Sequence, residues 1–90
     1  MPLTPKQKQN VIKQFQTSKD DTGSPEVQIA LLTTRVNRLT EHLNQHDHDI
    51  HSRRGLLSMI AKRRRIINLL SKIDKKRSIS IEKKIGLKTA

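Results

Sequence analysis

The sequence predicts an all-α protein of four helices, and three observations support that fold class. Apolar residues recur at spacings of three and four, as on one face of an α-helix, and do not alternate as in a strand. Residues that favour helix starts precede the apolar stretches. Neither a glycine-rich linker nor a repeat divides the 90 residues, so we expect one domain, residues 1–90. Because only 24 of them are Leu, Ile, Val or Phe, its layers should be thin.

The first helix is expected to begin at Thr4 and Pro5. Threonine is a good N-cap, and proline suits the first helical position because an N–H group there would have no partner within the helix. Val11, Ile12 and Phe15 give this helix only a narrow apolar stripe. A narrow stripe buries little surface, so the N-terminal helix should dock loosely.

The second helix should begin at Ser24, Pro25 and Glu26. The serine hydroxyl can cap free N–H groups, the proline has a suitable φ angle, and the glutamate lies at the positive end of the helix dipole. The helix should continue to about residue 45. Its core-facing side chains follow at spacings of three and four: Ile29, Leu32, Val36, Leu39 and Leu43.

A polar corner with the sequence NQHDHD precedes a third helix, which Asp49 or Ser52 can cap. The buried face of that helix is marked by Leu56, Met59, Ile60, Ile66, Ile67, Leu70 and Ile73. Asp74 can cap a short C-terminal helix that ends at Gly86 and buries Ile81 and Ile85. Two long helices joined by a short corner should lie antiparallel, with the shorter helices packed against them.

The charge of the chain indicates a polyanionic partner. Nineteen Lys and Arg residues against eight Asp and Glu residues give a net charge of +11, and residues 46–90 carry most of it. The chain has no cysteine, which excludes disulfides and thiolate sites. The longest apolar run, residues 29–32, is far shorter than a membrane span, and the polar N-terminus lacks a signal-peptide core. We therefore expect a cytoplasmic protein without a membrane partner.

Three polar residues form a stripe along the second helix. Gln28, Arg35 and His42 are seven residues apart, nearly two helical turns, so they share one face. An ordinary solvated face would look the same. Just before the stripe, Thr22 and Gly23 allow a close approach to backbone N–H groups, but Glu26 would repel a phosphate on the helix axis. Helix capping alone can also explain this segment; if it binds RNA, sugar or base contacts are favoured over a phosphate cradle.

The corner after the stripe has three possible functions. His42 and His46 have the spacing of a helical zinc pair, but no cysteine supports a metal site, and His42 with His51 could serve acid–base catalysis only if a pocket existed. A groove-reading site is the third possibility. Asp49 can accept from the exocyclic amine of guanine, and Ser52 and histidine can bond base edges or 2′-hydroxyls.

The third helix carries the basic run KRRR at residues 62–65. Four consecutive residues span 300° of a helix, so at least one must extend along the core and surface at the edge. A solvated face is one interpretation; phosphate contact is favoured by the charge of this half of the chain. The cations expected to contact phosphates are Arg53, Arg54, Arg64, Arg65 and Lys72. Phe15 is the sole aromatic residue, which argues against stacking on single strands and for recognition of folded RNA.

The segments DTGSPEVQIALLTTRVNRLTEHL, HSRRGLL and KRRRIINLL resemble the bacterial ribosomal protein S15 family over nearly the whole chain. The resemblance implies a four-helix, non-enzymatic binder of small-subunit rRNA, with no cofactor or metal. It implies that the protein grips a three-way junction of the central domain and a neighbouring G–U/G–C minor-groove feature, and so prepares the RNA for assembly.

The resemblance also assigns residues to each contact. It places Thr22, Gly23, Gln28 and Arg35 at the junction, and His42, Asp49 and Ser52 in the minor groove. Many relatives carry Tyr where this chain has Leu69. A leucine side chain can neither stack on a base nor donate a hydrogen bond. Further implied partners are neighbouring small-subunit proteins, large-subunit rRNA across the subunit interface and, in some relatives, their own mRNA. The alternative is a general basic nucleic-acid-binding module without junction specificity.

Overall fold

The structure is a computed structural model that describes residues 3–16 and 23–86, and every regular element in these two stretches is an α-helix. The helices follow the chain as α1 (Pro5–Phe15), α2 (Pro25–Gln45), α3 (Ile50–Ile73) and α4 (Lys75–Ile85). Their number and type confirm the predicted all-α class with two long and two short helices.

The first two helices begin at the predicted capping residues. The Thr4 hydroxyl accepts a hydrogen bond from the Gln7 N–H at 3.2 Å, and the Gln7 side chain accepts one from the Thr4 N–H at 3.0 Å. This reciprocal pair is a capping box, and it satisfies two backbone donors. At the start of α2, the Ser24 hydroxyl accepts from the Val27 N–H at 3.3 Å. Both starts are determined by residues within one turn.

The other two helices begin on aspartates. Asp49, and not Ser52, is the N-cap of α3, and its carboxylate accepts from the Ser52 N–H at 3.0 Å. Asp74 ends α3 and also caps α4, where it accepts from two backbone N–H groups of the first turn. Gly86 ends α4 with a φ of 81°, in the left-handed region that favours glycine.

The long helices α2 and α3 run antiparallel, as predicted. Three contacts between them pair His42 with Asp49, Thr33 with Arg63, and Ile29 with Leu70. As the residue number falls along α2, the number of its partner on α3 rises, which is the order that an antiparallel pair requires. Gly55 lies close to the Leu39 side chain in the same pairing.

A buried cluster lies at the end of the long helix pair that is remote from the corner, and α2 buries further apolar side chains, Val36 and Leu39, toward the corner. Ile29, Leu70 and Ile81 form a buried cluster contributed by α2, α3 and α4. Half-buried side chains cover this cluster: Phe15, Ile66, Ile67 and Ile85. No residue of α1 is fully buried, and its last residue, Phe15, rests on the cluster. These contacts agree with the predicted loose docking of the N-terminal helix.

The molecule is thin, as its small apolar content predicted. Its principal dimensions are 39 × 31 × 17 Å, and the shortest is less than two helix diameters. A layer of this thickness leaves its functional groups at edges and on outer faces. Within the described residues, no helix has an apolar stretch long enough to cross a membrane.

Candidate nucleic-acid interface

The corner between α2 and α3 holds a network of three polar side chains. The Asp49 carboxylate accepts from the Ser52 N–H through one oxygen and from the Ser52 hydroxyl, at 2.6 Å, through the other. His42 Nε2 lies 3.0 Å from that second oxygen. The network joins the last turn of α2 to the first turn of α3, because the antiparallel packing brings these turns together. The side chains of His42 and Asp49 remain 22% and 33% exposed, so a partner can reach them.

Hydrogen bonding keeps the Asp49 carboxyl of this corner ionised. The bonds donated by the Ser52 hydroxyl, by the Ser52 N–H and by His42 hold the pKa of the Asp49 carboxyl well below its usual range. Asp49 is therefore an ionised carboxylate at neutral pH. Since an ionised carboxylate only accepts hydrogen bonds, His42 Nε2 must carry the hydrogen that points at it.

The same bonds determine which groups the corner offers to a partner. With the hydrogen on Nε2, the Nδ1 atom of a neutral His42 ring is an acceptor. The Ser52 hydroxyl directs its one hydrogen at Asp49, so its oxygen has only lone pairs left. Asp49 has unused lone pairs of its own. Asp49 and Ser52 therefore present acceptors alone, as does a neutral His42 ring, and the corner suits a partner that presents hydrogen-bond donors.

The other histidine hypotheses gain no support from the described residues. The rings of His42 and His46 lie 4.8 Å apart and are tilted by 34°, while Nε2 of His42 is bonded to Asp49. Within residues 3–16 and 23–86, no group of three or more His, Cys, Asp or Glu residues is arranged to hold a metal ion. His51 is exposed on α3, and His42 is engaged with Asp49 and His46.

A second polar site lies farther along the α2–α3 edge. Gln28 and Arg35 line a groove of about 100 Å³ together with Leu31, Leu32 and Lys62. The Gln28 Nε2 atom donates to the Gly23 carbonyl at 2.8 Å, which fixes the amide beside the start of α2. The remaining predicted member of this site, Thr22, lies outside the described residues.

The two polar sites are held at a fixed distance by α2. Gln28 and His42 are fourteen residues apart on one uninterrupted helix, which corresponds to about 21 Å along its axis. Their spacing by multiples of seven keeps both on the same side of α2. A partner that engages both sites must therefore present two features at this separation.

A cationic face covers the outside of α3. All five cations predicted to contact phosphates are exposed: Arg53, Arg54, Arg64, Arg65 and Lys72. At 100° per residue, Arg54, Arg65 and Lys72 fall close to one line along the helix, and Arg53 and Arg64 fall close to another. None of these five side chains forms an ion pair or hydrogen bond with another described residue.

The remaining arginine of the basic run turns inward. Arg63 donates to the Thr33 hydroxyl of α2 at 3.2 Å, and that hydroxyl donates in turn to the Ile29 carbonyl at 2.8 Å. Thr33 is buried and Arg63 is half-buried, and this burial lowers the pKa of the Arg63 guanidinium. Arg63 is thus the member of the run that extends along the core, as the 300° spread predicted.

The sequence analysis did not predict an ion pair that joins α2 and α4. Arg77 donates to both carboxylate oxygens of Glu26, at 2.7 Å each, and the Glu26 side chain is only 12% exposed. The partners are 51 residues apart, so no local spacing signals the contact. The pair offsets the negative charge that would otherwise repel a phosphate near the start of α2.

The structure sorts the predicted residues into three places. His42, Asp49 and Ser52 are in direct contact at the corner; Gln28 and Arg35 share a groove; and the five cations lie on the outer face of α3. Lys62 was grouped with the basic run, but it lines the groove. The helical period could have indicated this position. Lys62 is rotated by 100° from Arg63, toward the flank of α2 that bears Gln28 and Arg35.

Leu69 is 56% exposed on α3, and Ile73, one turn farther along, is 66% exposed, so the prediction that Ile73 belongs to the buried face of α3 is wrong. The two side chains form a small apolar patch outside the core. Such a patch can contact a sugar or a base face, but it cannot donate a hydrogen bond. The structure therefore leaves Leu69 accessible to a partner.

Capped helices, a cationic face and two polar edge sites define a small helical protein of the kind that binds folded RNA. A family model described as Ribosomal protein S15 matches residues 8–88. The chain belongs to the ribosomal protein S15 family, whose members are structural and not enzymatic.

Curated relatives resemble the chain over almost its full length. A small ribosomal subunit protein uS15 from Carboxydothermus hydrogenoformans is 52% identical over 88 residues, which cover 98% of this chain and 99% of the relative. The protein of the same name from Aquifex aeolicus is 52% identical over 81 residues, 90% of each chain. One from a Mycobacterium species is 48% identical over 88 residues, 98% of this chain and 99% of the relative.

Proposed function

We propose that this protein binds the central-domain three-way junction of small-subunit rRNA together with the neighbouring G–U/G–C minor-groove feature. Membership of the ribosomal protein S15 family supports a structural role in the small subunit. The observation that favours this more specific function is the acceptor-only corner at His42, Asp49 and Ser52. Its chemistry fits a guanine in a minor groove better than it fits a generic phosphate backbone.

The fit follows from the groups that RNA exposes in its wide, shallow minor groove. The exocyclic N2 amine of guanine is the donor that distinguishes G·C from A·U there, and ribose 2′-hydroxyls supply further donors. Three acceptors in a fixed arrangement match this set. A phosphate offers acceptors only, so the ionised Asp49 would repel it. The corner therefore selects base and sugar edges.

The junction contact is assigned to the other end of the α2 edge. Gly23, Gln28 and Arg35 lie there, and Thr22 completes the proposed set from outside the described residues. One rigid helix that engages two RNA features about 21 Å apart restricts how those features can be arranged. Binding then favours the folded junction to the extent that the protein binds it more tightly than its open forms. This is how the protein prepares the RNA for later assembly steps.

The outer face of α3 supplies phosphate contacts in the same proposal. Its five exposed cations have no described partner, so each can pair with a phosphate without first breaking another bond. Such contacts are independent of sequence and weaken as salt rises. They favour the competing function, a general basic nucleic-acid-binding module, if they act without the corner and the groove.

Further partners are part of the proposal: neighbouring small-subunit proteins, large-subunit rRNA across the subunit interface, and the protein's own mRNA. Exposed apolar side chains outside the two polar sites support additional contacts. Ile50 is 62% exposed and Leu57 is 67% exposed on α3. When a partner covers residues of this kind, the burial of apolar surface contributes favourably to the free energy of binding.

The test is a binding titration at several salt concentrations with two RNAs of equal length and charge. One contains the central-domain junction, and the other is a continuous duplex. We expect the junction RNA to bind at least about 100-fold more tightly, since specific sites commonly exceed nonspecific ones by about 10³ or more. Equal binding of the two RNAs with the same salt dependence would instead establish the general basic module.

A further inference from the structure

The four basic residues at 62–65 each have a different environment. Arg63 points at α2 and bonds Thr33. Successive helical residues are rotated by 100°, so Lys62 lies on one flank of the α2–α3 contact and Arg64 on the opposite flank. Arg65 faces away from α2. Residues of equal charge in adjacent positions therefore meet different surroundings.

The flank that carries Lys62 is the flank that carries the polar stripe of α2. Lys62 lines the same groove of about 100 Å³ as Gln28 and Arg35, with Leu31 and Leu32 beside them. The groove thus receives one cation from each long helix, and none of its five lining residues is acidic. Neither Arg35 nor Lys62 forms an ion pair with a described residue.

Two like charges that converge on one groove repel each other, and the repulsion is relieved when an anion lies between them. We propose that Arg35 and Lys62 together hold a backbone phosphate of the junction RNA, so that Lys62 helps to determine junction specificity. This inference rests on the proposed function. The phosphate belongs to a nucleotide whose sugar contacts Leu31, and Gln28 Oε1 remains as an acceptor for its hydroxyl.

A phosphate bound in the groove requires a particular RNA geometry, whereas a phosphate bound on the outer face of α3 does not. A cation that extends freely into solvent can reach some phosphate on any duplex. A phosphate seated between two helices must lie at one place relative to the junction contacts of Gln28. Lys62 should therefore affect the ratio of junction to duplex affinity, whereas Arg64 should affect both affinities equally.

The experiment compares Lys62→Gln with Arg64→Gln, each of which removes one charge from an exposed position of the same helix. Affinities for the junction RNA and for the matched duplex are measured with the full chain at about 0.1 M salt. We expect Lys62→Gln to lower the junction-to-duplex ratio by about tenfold, and Arg64→Gln to change that ratio by less than about twofold. Lys62→Arg should restore the ratio. Thermal unfolding of each variant verifies that it is folded.

Three results would overturn the inference. In the first, the wild type prefers the junction but Lys62→Gln and Arg64→Gln change the junction-to-duplex affinity ratio equally. The proposed function then stands, but Lys62 does not determine junction specificity. The same holds if Lys62→Gln lowers both affinities alike. If the wild type shows no preference for the junction, the proposed function itself fails and the inference fails with it.

Discussion

The corner at His42, Asp49 and Ser52 and the outer face of α3 hold their polar side chains in different ways. At the corner, each side chain is bonded to another, at distances of 2.6 to 3.0 Å. On the outer face, the five exposed cationic side chains bond no other described residue. The side chains of the first region hold one another in place before any partner arrives, whereas those of the second have no such bond to hold them.

Because of this difference, we expect the corner to provide specificity and the outer face of α3 to provide attraction for polyanions. Side chains that are already fixed lose little entropy on binding, and they penalise a partner whose donors do not match. Long cationic side chains lose more freedom, but they attract any polyanion and accelerate its approach. The described part of the molecule is only 17 Å thick and leaves the side chains that provide both properties at its surface. It therefore divides them between an edge and a face.

The largest effect is expected from a substitution that disrupts the corner. Asp49→Ala removes the carboxylate that both Ser52 and His42 bond, so the corner loses its fixed acceptors. We expect a loss of about 10- to 100-fold in affinity for RNA that contains the minor-groove feature, and little change for plain duplex. Fluorescence titration with the two RNAs measures this. Equal losses for both would contradict the division between edge and face.

A second change concerns a cation that belongs to neither region. Arg77→Gln removes the bidentate partner of Glu26, whose side chain is largely buried. The pair lies between an exposed and a buried salt bridge, so we expect a loss of about 1–2 kcal/mol in the free energy of unfolding. Urea denaturation measures it. The control Lys76→Gln removes one exposed charge nearby and should change the free energy by less than about 0.5 kcal/mol. Similar values for the two variants would show that the pair does not stabilise the fold.

A smaller effect is expected for a cation of the outer face. Arg65→Ala removes one phosphate contact, so affinity should fall about three- to tenfold for all RNAs alike at about 0.1 M salt. The slope of log affinity against log salt should decrease by roughly 0.9. A titration series over salt concentration measures both quantities. A loss confined to the junction RNA would place Arg65 with the specific sites instead.

The smallest effect is a pH dependence at the corner. The folded-state pKa of Asp49 is lowered, so its ionised form stabilises the fold fully above its unfolded value, near pH 4. This contribution is lost as the pH falls toward the folded value. Asp49→Asn keeps a capping oxygen but not the charge. The difference in unfolding midpoint between wild type and Asp49→Asn should be largest above about pH 5 and shrink toward pH 2. A difference that stays constant over this range would exclude the carboxylate charge as its cause.

The helix ends were predictable because their causes are local. Thr4, Ser24, Asp49 and Asp74 cap helices through N–H groups within three residues, and Gly86 ends α4 through its own φ angle. The antiparallel arrangement of α2 and α3 followed from the short corner between two long amphipathic helices. Local chemistry and the hydrophobic period are sufficient for these features.

The contacts between distant residues were not predictable in the same way. Glu26 and Arg77 lie 51 residues apart, and Thr33 and Arg63 lie 30 apart, so their pairing depends on how the helices pack. The sequence predicted that one residue of the basic run must extend along the core, but not that it is Arg63. The association of Lys62 with the groove required the same information.

The most direct measurement is a double-mutant cycle between Asp49 and the guanine of the minor-groove feature. Replacing that guanosine by inosine deletes the exocyclic amine and leaves the rest of the base unchanged. We expect inosine to lower wild-type affinity by about tenfold and the affinity of Asp49→Ala by less than about twofold, because the amine then has no carboxylate acceptor to lose. If inosine lowers both affinities by the same factor, Asp49 does not read the amine, and the corner is only a helix cap.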